Sequence, residues 1–295
     1  MNFRLQLPPN LTACTHSAMA TEFVFHLGGS EPAYLHQAAN EAFALIDQIE
    51  ARLSFYRESS DVTRLNRAPA GAAVSVGPDL LACLALAAEA ATLTNGAFDA
   101  FTGRAAVEAK RQQIPLHLAD APEPTDADEP GPVVSLHPES GSIRKLRAGP
   151  WLDLGALGKG YALDEAAELL AEWNVTSGCL VAGGSSLRGL GGAEWSLEID
   201  TSKEPLALPG TFGLGASGFQ FQPSHIVDPR PAPERSPTVR ALVLAPNAAL
   251  GDALSTAAML LTPAELAWLS RIQPGVASIV VDAIGQRHRH GAPFA

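Results

Sequence analysis

The chain contains few cysteines and no long apolar run, and each shortage excludes a class of protein. Its 295 residues include three cysteines, Cys14, Cys83 and Cys179. Three dispersed thiols are too few for a disulfide framework or a zinc site, so we interpret them as small buried side chains. No apolar run approaches the roughly 18–20 residues that a membrane-spanning helix needs. We therefore expect no transmembrane segment.

Basic residues are also scarce relative to acidic ones. Lys and Arg number 20 against 31 Asp and Glu, which gives a net charge of -11. Because no cluster of Lys and Arg could follow a phosphate backbone, we do not expect a nucleic-acid partner. The hydrophobic fraction of 46% is ordinary for a folded soluble protein. The length predicts one large domain or two lobes that share a core.

The N-terminal residues lack the apolar core of a secretory signal. Residues 11–14, Leu-Thr-Ala-Cys, resemble a lipoprotein cleavage box, but Pro8-Pro9 and Asn10 stand where the apolar helix of such a leader would be. We interpret the box as a coincidence and expect residues 1–17 to form a flexible segment. The sequence as given predicts a cytoplasmic protein, with a periplasmic or membrane-anchored one as the alternative if a leader is missing.

Hydrophobic periodicity predicts helices and strands that do not alternate regularly, which favours an α+β fold over a doubly wound sheet. Helices are expected from Ser30 to Leu53, over 78–93 with a stop at Asn95-Gly96, over 161–173, and after a capping box at 262–265. Strands are expected over 22–27, 178–182, 195–200, 239–245 and 276–282. Residues 120–132 hold five acids, four prolines and no base, which predicts a solvated loop between two lobes.

The most unusual stretch, residues 153–161, precedes the third predicted helix and contains three glycines and Lys159. Backbone N–H groups and the helix dipole make such a helix start suitable for an anion. It is not a Walker loop, because only two residues separate Gly155 from Gly158 and Gly160 follows the lysine. A turn used only for chain reversal is the alternative.

Two further stretches bear candidate side chains. Glycines in 182–186 follow an apolar strand and suit either close approach of a ligand or a simple turn. His225, close to Asp228 and Arg230, suits a general base or a structural histidine. The eight histidines show no ligand spacing that supports zinc.

Asp252 and Thr256 are four residues apart in a predicted helix, so their oxygens share one face. A carboxylate beside a hydroxyl provides the hard oxygen ligands that Mg²⁺ prefers. A helix-capping role for Asp252 is the alternative interpretation.

Taken in order, seven stretches resemble the ApbE family of FAD-dependent protein FMN transferases. They extend from about Met19 to Leu261: 19–21, 53–68, 95–103, 153–164, 182–184, 225–229 and 252–257. The resemblance implies one catalytic domain over 1–295 with a two-lobed α+β fold, mixed or antiparallel sheets and flanking helices. It also implies a flavin site in the cleft between the lobes.

The resemblance further implies a reaction and a set of residues. A Thr or Ser hydroxyl of an acceptor flavoprotein attacks the FMN phosphorus of FAD, and AMP leaves. Mg²⁺ on the pyrophosphate is held by Asp252, Thr256 and the backbone carbonyl of Ala156, with Ser255 adjacent. His225 accepts or positions the proton of the hydroxyl. The implied flavin contacts are Met19, Tyr56, Ala97, Phe98, Asp99, Asp153, Lys159 and Ile226.

The chain departs from the family pattern around the histidine. Ala20, Ser185 and Ala216 stand where the family usually has Gly, Asp and Thr, and Pro231-Ala232 replaces Thr-Gly. Two alternatives therefore stay open beside the transferase. One is an FAD pyrophosphatase, in which water replaces the hydroxyl, and the other is a non-catalytic FAD-binding protein.

Overall fold

The structure is a computed structural model that describes residues 3–109, 113–123, 131–191, 195–199, 205–218, 226–230 and 238–294. The seven α-helices in this part of the chain are α1 Pro32–Leu53, α2 Asp61–Arg67, α3 Pro78–Leu93, α4 Gly103–Ala109, α5 Gly158–Glu172, α6 Ala248–Ala258 and α7 Pro263–Ile272. The first half of the strands are β1 Phe3–Gln6, β2 Thr12–Ala18, β3 Thr21–Gly28, β4 Ala73–Ser75, β5 Val134–His137, β6 Ser142–Lys145 and β7 Ser177–Ala182. The second half are β8 Ser186–Leu190, β9 Trp195–Ile199, β10 Leu206–Leu208, β11 Thr211–Gly218, β12 Thr238–Ala245, β13 Ala277–Asp282 and β14 Arg287–His290.

An eight-stranded antiparallel sheet forms the centre of the protein. Its strand order is β14-β13-β12-β11-β8-β7-β3-β2, and two three-stranded sheets have the orders β1-β9-β10 and β4-β6-β5. The described strand pairs are antiparallel throughout. With helices and antiparallel strands in separate layers, the α+β class is confirmed.

The central sheet is covered on both faces. Along β12, Leu242 and Leu244 lie in one buried cluster with Trp195 and Phe212, whereas Ala241 and Val243 lie in the other cluster with the helices. This alternation follows from the two-residue period of a strand. The helical layer, which includes α5 and α6, therefore lies on one face, and the small β1-β9-β10 sheet lies on the other.

Several helix and strand predictions are confirmed by the structure. α3 spans Pro78–Leu93 as expected, and Asn95 and Gly96 beyond it have positive φ angles of 49° and 77°. The capping box of α7 is also present, because Thr262 Oγ1 accepts from Glu265 N and the Glu265 carboxylate accepts from Thr262 N. The predicted strands correspond to β3, β7, β9, β12 and β13.

The expectation of a flexible segment over residues 1–17 is wrong for the parts that form strands. β1 pairs with β9, and β2 pairs with β3 through a two-residue turn at Met19-Ala20. Polar residues alternate with buried Cys14 and Ala18 in β2, which is a weak hydrophobic pattern. The strand is also stabilised by the helix α1, which packs against it. The predicted acidic loop lies partly outside the described residues, which omit 124–130.

No helix among the described residues is long and apolar enough to cross a membrane.

Candidate functional site

The site is built where the first turns of α5 and α6 meet. α5 begins at Gly158, three residues earlier than the sequence predicted, because Gly158 N donates to Leu154 O and Tyr161 N to Leu157 O. Lys159 and Gly160 therefore lie inside the first helical turn rather than in a preceding loop. The Gly160 N–H of this turn reaches α6, the helix that carries Asp252.

Gly160 allows the two helices to touch. A Cβ atom at this position would overlap the backbone of Ala248 and Ala249, so only glycine permits this approach of α5 to α6. Gly160 N donates a 2.9 Å hydrogen bond to Asp252 Oδ2. The glycine therefore has a packing role and also places a backbone donor on the carboxylate.

Asp252 is a buried carboxylate in the second turn of α6. The N-cap of α6 is Asn247, whose Oδ1 accepts from Leu250 N, so Asp252 does not cap its own helix. Its side chain is 5% exposed, and Oδ2 also accepts a 2.8 Å hydrogen bond from Ser186 Oγ. Lys159 Nζ lies 4.0 Å from the same oxygen.

The electrostatics of Asp252 indicate a negative charge that its surroundings do not fully compensate. Burial raises the pKa of Asp252 to about 6, although Lys159, Ser186 and the Gly160 amide favour the ionised form. Desolvation of a carboxylate is costly unless a counter-charge is close, and a bound divalent cation would supply that charge. The chemistry of this side chain therefore fits a cation ligand.

Three hydroxyl groups lie close to one another near Asp252. Ser217 Oγ on β11 lies 2.9 Å from Ser255 Oγ and 3.3 Å from Thr256 Oγ1. Both α6 hydroxyls donate back to the carbonyl of Asp252, at 2.9 and 3.3 Å. Their oxygen lone pairs stay available, so Ser255 and Thr256 can act as neutral oxygen ligands beside one carboxylate.

This donor set fits Mg²⁺ better than a softer metal. Within the described ranges there is no cluster of three or more His, Cys, Asp and Glu side chains. Mg²⁺ is commonly held by one or two carboxylates, with water and substrate phosphates completing its shell. Ala156, the expected carbonyl ligand, lies in the turn just before α5, four residues from Gly160.

Asp153 and Tyr56 form a second part of the site. Tyr56 is 67% exposed, and its pKa is raised by partial burial and by the nearby charge of Asp153. Asp153 N donates to Ala100 O at 2.8 Å, and its Oδ1 accepts from Gly155 N at 2.8 Å. The 97–103 segment, the turn before α5 and Tyr56 are therefore neighbours.

The residues Ala97 and Phe98 are 2% and 4% exposed and belong to the core. Thr94 Oγ1 accepts from Phe98 N at 3.0 Å, and Asp99 Oδ1 accepts from Phe101 N at 2.8 Å. These hydrogen bonds fix the loop after α3. Ala97 and Phe98 are therefore almost fully covered, whereas the partly buried Asp99 offers a side chain to a ligand.

Met19 occupies the tight turn between β2 and β3. Met19 and Ala20 have positive φ angles of 50° and 56°. Met19 N donates to Glu50 Oε2 at 2.8 Å, and Glu50 Oε1 lies 3.3 Å from Arg57 Nη2. Glu50 thereby connects the Met19 turn to the segment that carries Tyr56. The sequence reasoning missed Glu50, because one acid on a long amphipathic helix gives no signal of its own.

Ile226 is partly buried against the hydrophobic cluster that includes the helices. The residues after it are held by salt bridges. The Arg230 guanidinium donates two hydrogen bonds to the Asp228 carboxylate, at 3.0 and 2.8 Å. It also binds Glu265 Oε1 at 3.0 Å and Leu260 O at 2.9 Å. This network attaches 226–230 to the start of α7. His225, the expected base, lies outside the described residues.

Two other contributors to the site were not singled out from the sequence. The sequence indicates Ser186 only as part of a glycine-rich turn, although its hydroxyl hydrogen-bonds to Asp252. Asp164 accepts from Ala248 N and Ala249 N and so caps α6 from the side of α5. Its position four residues after Gly160, on the same face of α5, is the signal that could have indicated this role.

Two known proteins resemble this chain over most of its length. The FAD:protein FMN transferase of Treponema pallidum is 27% identical over 286 residues, covering 84% of this chain and 78% of that protein. The enzyme of the same name from Haemophilus influenzae is 23% identical over 256 residues, covering 77% and 73%.

Solved structures show the same fold. The apo form of the Pseudomonas stutzeri flavinyl transferase ApbE superposes with a TM-score of 0.78 at 24% identity, covering 95% of both chains. The flavin transferase ApbE from Vibrio cholerae gives 0.75 at 19% identity, covering 98% of this chain and 100% of that one. The sequence model of the ApbE family matches residues 16–280, most of the length. The chain therefore belongs to the ApbE family.

Proposed function

We propose that this protein is an FAD:protein FMN transferase, which moves FMN from FAD to a Thr or Ser hydroxyl of an acceptor flavoprotein with the help of Mg²⁺. Its relatives in Treponema pallidum and Haemophilus influenzae are both named FAD:protein FMN transferase. The observation that carries the proposal is the buried Asp252 carboxylate at the α5–α6 junction, beside Lys159 and the hydroxyls of Ser255 and Thr256.

The reaction exchanges one phosphorus–oxygen bond for another. The acceptor hydroxyl oxygen bonds to the FMN phosphorus, the bond from that phosphorus to the bridging oxygen breaks, and AMP leaves with that oxygen. The hydroxyl proton passes to a base, for which His225 is our candidate. Mg²⁺, held by Asp252, Thr256 and the Ala156 carbonyl, would neutralise charge on the pyrophosphate and position it.

Lys159 has a role in the proposed reaction that does not depend on the metal. Its side chain is 25% exposed and lies at the start of α5, where the helix N–H groups also favour negative charge. A second positive charge there would stabilise the phosphate oxygens as charge moves onto the leaving AMP.

The flavin end is held, in this proposal, by the cluster of Tyr56, Asp99 and Asp153 with Met19 and Ile226 around it. Tyr56 supports this role because a large ring that is 67% exposed offers a face on which an isoalloxazine can stack. Ala97 and Phe98, which are almost fully buried, would shape the site from beneath.

The test is to incubate the protein with FAD, Mg²⁺ and an acceptor domain that carries the target motif of the family. We expect a gain of one FMN on the acceptor by mass spectrometry and an equal amount of AMP. Release of AMP and free FMN without an adduct would replace the transferase by the pyrophosphatase, and tight FAD binding without AMP would leave only a binding protein.

Asp252→Ala serves as the matched variant. It removes the proposed carboxylate ligand and should lower transfer by two or more orders of magnitude at moderate Mg²⁺. If Asp252→Ala transferred FMN at the rate of the unchanged protein, our assignment of the metal site would be wrong.

A further inference from the structure

The two oxygens of the Asp252 carboxylate have different surroundings. Oδ2 accepts hydrogen bonds from Gly160 N and Ser186 Oγ, at 2.9 and 2.8 Å, and is the oxygen nearest to Lys159. Oδ1 accepts no hydrogen bond from the residues that the structure describes. The carboxylate is therefore held through Oδ2, and Oδ1 is left available to bind a ligand.

Ser186 is well placed to impose this orientation. It is the first residue of β8, its side chain is fully buried, and its hydroxyl has one proton to donate. β8 pairs with β11, so that Gly215 lies opposite Ser186 and Ser217 follows two residues later on the same strand. The sheet thus fixes Ser186 relative to the hydroxyl cluster of Ser217, Ser255 and Thr256.

From this asymmetry we infer that Ser186 is a positioning residue, which together with the Gly160 amide occupies Asp252 Oδ2 and directs Oδ1 toward the bound cation. The inference rests on the proposed function. It explains how one carboxylate can bind a metal reproducibly, since hydrogen bonds to the distal oxygen of a ligand fix its rotamer.

The neighbouring Ser185 provides a matched control. It has the same side chain, it lies one residue earlier, and its Oγ is 3.5 Å from Ser186 Oγ rather than on the carboxylate. Its backbone carbonyl, which accepts from Ala216 N, is unchanged by a side-chain substitution. Ser185→Ala therefore removes a nearby hydroxyl without removing a partner of Asp252.

The experiment measures binding of Mn²⁺, a paramagnetic substitute for Mg²⁺, in the presence of FAD by the loss of the free-ion electron paramagnetic resonance signal. We expect Ser186→Ala to weaken Mn²⁺ binding roughly 10–100-fold, the usual effect of removing a partner of a metal ligand. Ser185→Ala should bind as the unchanged protein does. FMN transfer by Ser186→Ala should recover at high Mg²⁺, since the loss lies in metal binding.

Equal Mn²⁺ affinity in Ser186→Ala and Ser185→Ala would overturn the inference while FMN transfer by the unchanged protein still supported the proposed function. Absence of Mn²⁺ binding by the unchanged protein would overturn both the metal site and this inference.

If Ser186→Ala did not fold, Ser186→Cys would decide, because a thiol is a weaker donor and should give intermediate affinity. Unchanged affinity in Ser186→Cys would contradict the role of the hydroxyl.

Discussion

Ala20 occupies a backbone conformation that suits glycine better than alanine. Its φ is 56°, next to Met19 at 50°, in the two-residue turn between β2 and β3. Such turns favour residues that adopt positive φ at little cost, and glycine does so most readily. The departure noticed in the sequence, alanine in the usual place of glycine, therefore has a physical consequence in the structure.

We predict that Ala20→Gly stabilises the protein by about 0.5–1 kcal/mol, because relief of the left-handed strain exceeds the added entropy of the unfolded chain. Urea denaturation measures the difference. Ala18→Gly is the control, since Ala18 lies in β2 and is 6% exposed, and there the same glycine should destabilise. A lower stability of Ala20→Gly would show that the turn does not strain alanine.

Lys145 is a second residue whose conformation or environment lowers the stability of the folded protein. Its side chain is fully buried, its Nζ donates to Pro150 O at 3.0 Å, and burial lowers its pKa from 10.5 to about 8. Below pH 8 the amine is charged in both the folded and the unfolded chain, so the burial penalty is fully present. Between pH 8 and 10.5 only the unfolded chain keeps the proton, so this group adds stability as pH rises.

Lys145→Met removes the titrating group, so we predict that the unchanged protein gains stability relative to this variant between pH 7 and 10. The gain should be on the order of 2 kcal/mol, measured by denaturation of both proteins at each pH. Parallel stability profiles for the two proteins would contradict a lowered pKa at Lys145.

At the scale of elements, glycines set the distance between α6 and the central sheet. Cβ atoms at Gly213 and Gly215 of β11 would overlap the backbone of α6 at Asn247 and Gly251. The sequence analysis did not predict β11, because glycine is rare in strands and weakens the usual pattern. These glycines belong in the strand because a helix backbone lies directly against it.

We predict that Gly215→Ala destabilises the protein by about 1–3 kcal/mol, as overpacking in a core does, and lowers FMN transfer by displacing Asp252. Thermal unfolding and the Mg²⁺ dependence of transfer measure the two effects. The stability control is Gly158→Ala, since a Cβ there has no neighbour within 4 Å. Similar stability of the two variants would contradict tight packing of α6 on β11.

At the scale of the whole molecule, the sequence predicted the parts whose signal is local. α1, α3 and the capping box of α7 were readable because apolar spacing and capping residues are encoded within each helix. The strands β1, β2 and β8 were not, since they are stabilised by partners far away in the chain, such as β9 for β1.

The same distinction applies to the site. Asp252 and Thr256 were recognisable as a pair because four residues place them on one helical face. Ser186 and Gly160 contact Asp252 from 66 and 92 residues away, and no spacing within the sequence indicates such contacts. The resemblance supplied residues of the proposed flavin site, while the structure supplied the hydrogen bonds to Asp252 Oδ2.

The central claim is that the junction of α5 and α6 binds a divalent cation on the pyrophosphate of FAD. The most direct measurement is anomalous X-ray scattering from crystals of the protein grown with Mn²⁺ and FAD. We predict a single strong peak about 2 Å from Asp252 Oδ1, with the Thr256 hydroxyl, the Ala156 carbonyl and pyrophosphate oxygens completing its shell. A peak elsewhere, with FAD bound and Asp252 turned away from it, would contradict the account.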